Sequence, residues 1–217
     1  TASSVGSFVA IDFKDTEHPV VEQIPFDFNS VNHVLCIVDT GGNHADLTPD
    51  YAAVTAEMKS VAAYFGKTVL SELSEQDIYN NIPALRQKCG DRAILRAIHF
   101  FADDKKAVQE AEALKNNDFE TFKQLIMASG HSSFTCLQNV YSTSNPQEQG
   151  LSLALALCEK ILGKQGAYRV HGGGFAGTIQ AFVPMELLHT FHAEMESAFG
   201  KGNCHVLSIR PVGGVEI

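Results

Sequence analysis

Gly172, Gly173, Gly174 and Gly177 put four glycines into six positions, interrupted only by Phe175 and Ala176. Such a run is costly in conformational entropy, and a folded chain keeps it where backbone bends sharply or approaches something closely. Clustered backbone N–H groups make a concave anion site, so a phosphate is one partner the run could serve. A ligand-free turn packed on another backbone is the alternative. A P-loop is excluded, because it needs GxxxxGK[ST] opening a helix and no lysine directly follows these glycines. Gly172, Gly174 and Gly177 fit the spacing of a dinucleotide fingerprint. That fingerprint must join a strand to a helix, however, and Thr178 to Val183 alternates like a strand.

Tyr51 is the second residue of interest. It stands where Thr48-Pro49-Asp50 starts a helix, with a hydroxyl cap, a proline in the first turn and an acid at the positive dipole end. A phenol there can donate to a ligand hydroxyl. It is also the first member of the apolar stripe Tyr51, Val54, Met58, Val61 and Phe65, so a core role competes. Asp39, Asn43, His44 and Asp46 form the polar loop before that helix and serve either a cleft or the turn's own amides. The nine histidines, His99, His131 and His171 among them, show no HExxH or Cys/His ligand spacing, so no metal site is expected. Ser132-Ser133 lacks a GxSxG context. Glu110, Glu112, Asp118 and Glu120 read as solvated helix surface.

The elements that must position these residues follow from pattern. Ser7 to Phe13 and Val20 to Phe28 read as a β-hairpin. Val34 to Val38 reads as a buried central strand. The helix from Thr48 closes at Gly66. A helical middle follows, broken at Ile82-Pro83. It includes Arg92 to Phe101 with Leu95 and Ile98 on one face, continued by Ala102, a helix capped by Asn117-Asp118 and stopped by Gly130, and one opened by Asn145-Pro146 with Leu151, Leu155, Cys158 and Leu162 inward. Ala167 to His171 and Thr178 to Val183 are strands around the glycine run. Pro184 starts a helix striped by Leu188, Phe191, Met195 and Phe199, and Cys204 to Arg210 is a last strand. From Val34 onward, without the helical insertion, this is the split βαβ, ferredoxin-like order. The expected class is α+β: an antiparallel sheet with a helical insertion, preceded by a hairpin.

The chain has 217 residues, a net charge of −9 and 45% hydrophobic content. That supports a real core and disfavours nucleic-acid or anionic-membrane partners, which need basic surface. Five cysteines without a CxxC pair read as reduced core thiols of a cytoplasmic protein. No apolar run approaches the ~20 residues of a membrane span.

The segment Arg169-Val170-His171-Gly172-Gly173-Gly174-Phe175-Ala176-Gly177 resembles the third motif of the GHMP kinases, and most closely that of the galactokinases, whose usual form is GGGFGG. Leu35 to Tyr51 resembles their strand and loop leading to a sugar-contacting tyrosine. Arg92 to Phe101 is similar to a helix of their second half, Leu125 to Tyr141 to their "SH-S" helix, and Thr1 to Phe13 to the stretch after their catalytic aspartate. The resemblance covers essentially the whole chain. Ala176 departs from it, where a glycine is usual.

The resemblance implies a GHMP-kinase C-terminal domain at 31–217, with 1–30 as the end of the N-terminal kinase domain or a hairpin linking to it. It implies transfer of the ATP γ-phosphoryl group to O1 of D-galactose, giving galactose 1-phosphate, with Tyr51 on the sugar and Gly172, Gly173 and Gly174 beside the ATP phosphates. The catalytic aspartate, the Gly/Ser motif for ATP and Mg²⁺, and the remaining sugar ligands would belong to an N-terminal half that precedes Thr1. The expected partners are therefore galactose, ATP and that N-terminal domain, and this chain alone is expected to be an inactive fragment with no catalytic residue. Two other readings stay open: a galactokinase-like sensor that binds sugar and ATP without turnover, and a GHMP member acting on another alcohol.

Overall fold

The computed structural model describes residues 8–15, 17–42 and 47–208. β1 (Phe8–Asp12) and β2 (Val20–Ile24) pair antiparallel as a hairpin. β2 is shorter than its pattern suggests: it ends before Pro25, and Phe26 and Phe28 turn into the core instead of continuing the strand. β3 (His33–Asp39) leads to α1 (Thr48–Tyr64). Thr48 is the first helical residue and makes no side-chain cap; Leu47 holds the cap position. Then come α2 (Glu75–Asn80), α3 (Ile82–Lys88, with Pro83 in its first turn) and α4 (Asp91–Lys115). α5 (Phe119–Ser132) is capped by Asp118, whose carboxylate accepts from Thr121 N at 3.0 Å, and it runs into a π turn (Ser133–Leu137). α6 (Gly150–Leu162), β4 (Ala167–Val170), β5 (Thr178–Pro184), α7 (Leu188–Phe199) and β6 (Cys204–Leu207) complete the order.

β3 to β6 form one antiparallel sheet in the order β4-β5-β3-β6. Counted from β3, that order is second, third, first, fourth, the arrangement of a split βαβ fold. Alternation in the strands feeds two cores. Cys36, Val38, Ile179, Ala181 and Val183 face α6 and α7, where Cys158, Phe191 and Met195 are fully buried. Phe182 and Ala167 face the opposite way, toward α4, α5 and the hairpin. There Phe26, Phe28, Phe119, Phe122 and Phe182 lie with ring centroids 5.1–6.0 Å apart. Each such ring contributes ~1.5–3 kcal/mol on burial. α1 and the helices that follow it share a third core, built by Val61, Ile78, Leu85, Ile94 and Ala97.

Several local expectations fail for identifiable reasons. Gly130 does not stop its helix; a Cβ there would stand 2.9 Å from Arg169 Cβ and 3.1 Å from Tyr168 O, so glycine lets α5 approach β4. Pro184 is the last residue of β5, and α7 begins four residues later. Asn145-Pro146 sits in a turn ahead of α6, which opens at Gly150. α4 buries Ala93, Ile94, Arg96, Ala97 and His99, leaving Leu95 and Ile98 half-buried. The Ser7 and Arg210 ends of the expected strands, and the Thr1 to Ser7 part of the resembling N-terminal segment, lie outside the described residues.

Candidate functional site

The glycine loop joins β4 to β5 at the end of the sheet where β3 runs out toward α1. His171 N donates to Thr178 O at 3.0 Å and closes the loop's base. Thr40, just past β3, donates to Gly177 O from both its amide (2.9 Å) and its hydroxyl (2.8 Å). Gly172, Gly174 and Gly177 have φ of 71°, 79° and 89°, in the region glycine enters without steric cost. Phe175 shares that region at φ 62°, an uncommon conformation for a bulky residue that its surroundings must hold.

Two side chains hold it there. The Tyr51 hydroxyl, from the first turn of α1, donates to Gly174 O at 2.7 Å. Its ring meets the buried Phe175 ring edge-on at 5.3 Å and 87°. From the opposite side, Asn139 Nδ2 donates to Gly173 O at 3.1 Å, and Asn139 O accepts from Phe175 N. The carbonyls of Gly173 and Gly174 are thus bound by protein donors. The amides of Gly172, Gly173 and Gly174 donate to no acceptor among the described residues.

A cleft of about 200 Å³ opens here, with Asp39, Tyr51, His171, Gly173, Gly174 and Ala176 in its walls. The two parts singled out in the sequence, Tyr51 and the glycine run, therefore meet in one place. Burial, followed by the nearby Asp50 charge, raises the Tyr51 phenol above its ordinary value and keeps it a neutral donor. Asp39 Oδ1 accepts from Gly41 N at 2.9 Å, a turn contact. Asn43, His44 and Asp46 lie outside the described residues. Ala176 fits because Gly42 makes room: a Cβ on Gly42 would stand 2.8 Å from the Ala176 methyl. A larger hollow of about 710 Å³ lies at the hairpin tip, walled by Asp12, Lys14, Asp15 and His18, but Asp12 and Asp15 there are engaged by neighbouring amides of the turn.

A charge network, buried at Arg96 and partly exposed at Glu57 and Arg92, ties α1 to α4. Arg96, 1% exposed, donates to Glu57 Oε2 at 2.9 Å and to Leu137 O at 3.1 Å. Arg92 Nε donates to the same carboxylate at 3.0 Å. Burial lowers the Arg96 guanidinium from its usual value, and Glu57 opposes the shift. Ser142 Oγ donates to Asp50 Oδ2 at 2.8 Å, tying the segment after Asn139 to the start of α1. Sequence reasoning misses Asn139, Glu57, Arg96 and Ser142. The available signal is the polar pair Gln138-Asn139 inside the apolar run from Leu137 to Tyr141.

Ser132 Oγ and His99 Nδ1 lie 2.9 Å apart, with Asp103 Oδ2 3.7 Å from His99 Nε2. This is a buried seam between α4 and α5, and neither hollow reaches it. Glu110 is half-buried beside it, which corrects its reading as solvated surface: burial pushes its carboxyl up to about 7, against the pull of Arg169. Among the described residues, no group of three or more His, Cys, Asp or Glu is placed to hold a metal ion. No described helix is long and apolar enough to cross a membrane.

No protein-family profile matches the chain. It is 26% identical over 154 residues to a galactokinase of Glaesserella parasuis, covering 71% of this chain and 38% of that protein. It is 28% identical over 150 residues to a galactokinase of Haemophilus influenzae, covering 69% and 37%. In structure it matches Lactococcus lactis galactokinase complexed with galactose at TM-score 0.73 and 19% identity, over 97% of this chain and 53% of that one. L. major mevalonate kinase in complex with R-mevalonate matches at TM-score 0.53 and 15% identity, over 94% and 49%. The chain spans 38% or less of these curated relatives and about half of the solved chains. By sequence the chain is similar to part of these galactokinases, and it shares its fold with the solved galactokinase and mevalonate kinase chains.

Proposed function

We propose that this chain is the C-terminal part of a galactokinase, which transfers the ATP γ-phosphoryl group to O1 of D-galactose. The observation that carries the reading is the convergence of Tyr51 and the glycine loop on one cleft. Phosphoryl transfer rests mainly on positioning and on stabilising phosphate charge. The loop suits both needs, since its carbonyls are held by Tyr51 and Asn139 and three amides are left for an anion. ATP would supply the phosphoryl group, with Gly172, Gly173 and Gly174 beside its phosphates and the Tyr51 ring against the sugar. The base and the Mg²⁺ ligands belong to an N-terminal partner domain, to which residues 1–30 connect. The five free cysteines accord with a cytoplasmic setting.

The test is galactose-dependent ADP release by the protein carrying this chain with its upstream domain, beside the isolated 217-residue chain. Turnover is expected from the first and none from the second. Tyr51→Phe keeps the ring and loses the bond to Gly174, so it should raise the KM for ATP. Tyr51→Leu also loses the ring and should raise the KM for galactose. Galactose binding without ADP release would replace this reading with the sensor. Turnover of a different alcohol would replace it with another member of the group.

A further inference from the structure

The π turn after α5 delivers one buried amide to the glycine loop. Arg96 Nε holds Leu137 O, Gln138 takes the left-handed conformation at φ 57°, and the chain then reverses so that Asn139 faces the loop. Short π segments inside or at the end of α-helices are frequent at functional sites. Asn139 is 2% exposed. Its backbone oxygen accepts from Phe175 N, and its Nδ2 donates to Gly173 O at 3.1 Å. A Cβ on Gly174 would come within 2.0 Å of Asn139 O and 2.6 Å of Nδ2, so the asparagine lies directly on the Gly174 backbone. The amide orientation follows from Gly173 O, an acceptor that requires a donor opposite it. The other amide atom, Oδ1, is buried without a partner among the described residues. A buried acceptor left unmatched costs stability and asks for a reason. An apolar residue could not hold Gly173 O, and a serine hydroxyl is too short to replace the amide's reach.

We infer that Asn139 is a positioning residue: it fixes the glycine loop in the shape that presents the Gly172–Gly174 amides to a phosphate. The inference rests on the proposed function for its ligand, but not for the loop geometry. Tyr51 pins the loop at Gly174 O from α1, and Asn139 pins it at Gly173 O and Phe175 N from the π turn. With both pins in place the carbonyls cannot rotate into the cleft, where they would repel an anion. Asn139 touches neither substrate in this arrangement and acts only through the loop.

The experiment uses the full protein carrying this chain and the isosteric variant Asn139→Asp, with Asn139→Ser as a second variant should the first fail to fold. Hydrogen exchange of the peptide spanning residues 171–178 should speed up by about tenfold in either variant, as expected for loss of a buried hydrogen bond, while the peptide covering α7 stays unchanged. The KM for ATP should rise by a similar factor, with the KM for galactose unmoved. In Asn139→Asp that defect should shrink between about pH 8 and about pH 6, because a buried carboxyl facing a carbonyl has a raised pKa and donates once protonated. A merely structural role would lower both affinities together and show no such recovery. Unchanged exchange at 171–178 overturns the inference whether or not the wild type turns over galactose. Absence of wild-type turnover alongside faster exchange sinks the galactokinase reading and leaves the role of Asn139 standing.

Discussion

Alanine at each of three consecutive glycines should give three different outcomes, because each Cβ meets a different neighbour. At Gly172, with φ 71°, a Cβ finds nothing within 4 Å. Gly172→Ala therefore carries only the left-handed backbone cost of ~1–2 kcal/mol. At Gly173, φ is not positive, and the Cβ would stand 2.8 Å from Tyr51 Cε1, a side chain that can turn away. Turning it breaks the bond to Gly174 O, so Gly173→Ala should cost ~1–2 kcal/mol, mostly through that bond. At Gly174, φ is 79° and the Cβ would meet a backbone oxygen, Asn139 O, at 2.0 Å. The backbone cost then adds to an overpacking cost of ~1–3 kcal/mol and to a lost loop hydrogen bond, for ~3–5 kcal/mol in total. Urea unfolding of the three variants under identical conditions reads the order. Gly174→Ala within ~1 kcal/mol of Gly172→Ala would mean that the loop is not clamped by Asn139, and the reasoning would fail.

Two further expectations concern buried charge. Arg96→Met strands Glu57 with only the more exposed Arg92 and frees Leu137 O, so it should destabilise by ~2–4 kcal/mol in urea unfolding; adding Glu57→Leu should recover part of that, since removing a buried pair costs less than breaking it. Glu110 has a folded-state value of about 7 against an ordinary 4.5, so the folded state binds its proton more tightly than the unfolded state does. Stability from this group is full below about 4.5, falls as pH rises through about 7 and is flat above that. Glu110→Gln should remove this fall and stabilise the chain by ~1–3 kcal/mol at pH 8, seen in paired melting curves at pH 5 and pH 8. A gain at pH 5 equal to that at pH 8 would contradict it.

The sheet is readable from sequence because β3 is a nearly continuous apolar run, β5 alternates, and turn residues flank these strands, and the order of strands and helices leads to the split βαβ arrangement. Tyr51 and the glycine run are readable as chemistry but not as neighbours, since the contact spans 123 positions. The register of α4 is hard to read because its buried face carries Arg96 and His99, which subtract from the apolar pattern they belong to. Gly130 reads as a stop because a glycine's local meaning is helix termination, whereas here the neighbouring strand decides. Asn139 has no periodic signature at all: its importance comes from a π turn and a left-handed residue, neither of which leaves a hydrophobic repeat.

The central position of β3 has a consequence for how the molecule assembles. β3 comes early in the chain, but both strands that flank it, β5 and β6, arrive about 140 to 170 residues later. Pairings of such separation close only after a large loop-entropy cost, so they form late and slowly. The helices α1 to α4 between them have their own core and can collapse first. During synthesis, β3 must therefore wait with two open edges while Val34, Cys36 and Val38 lack their cover, and a ribosome stalled before Thr178 would display a template for aggregation.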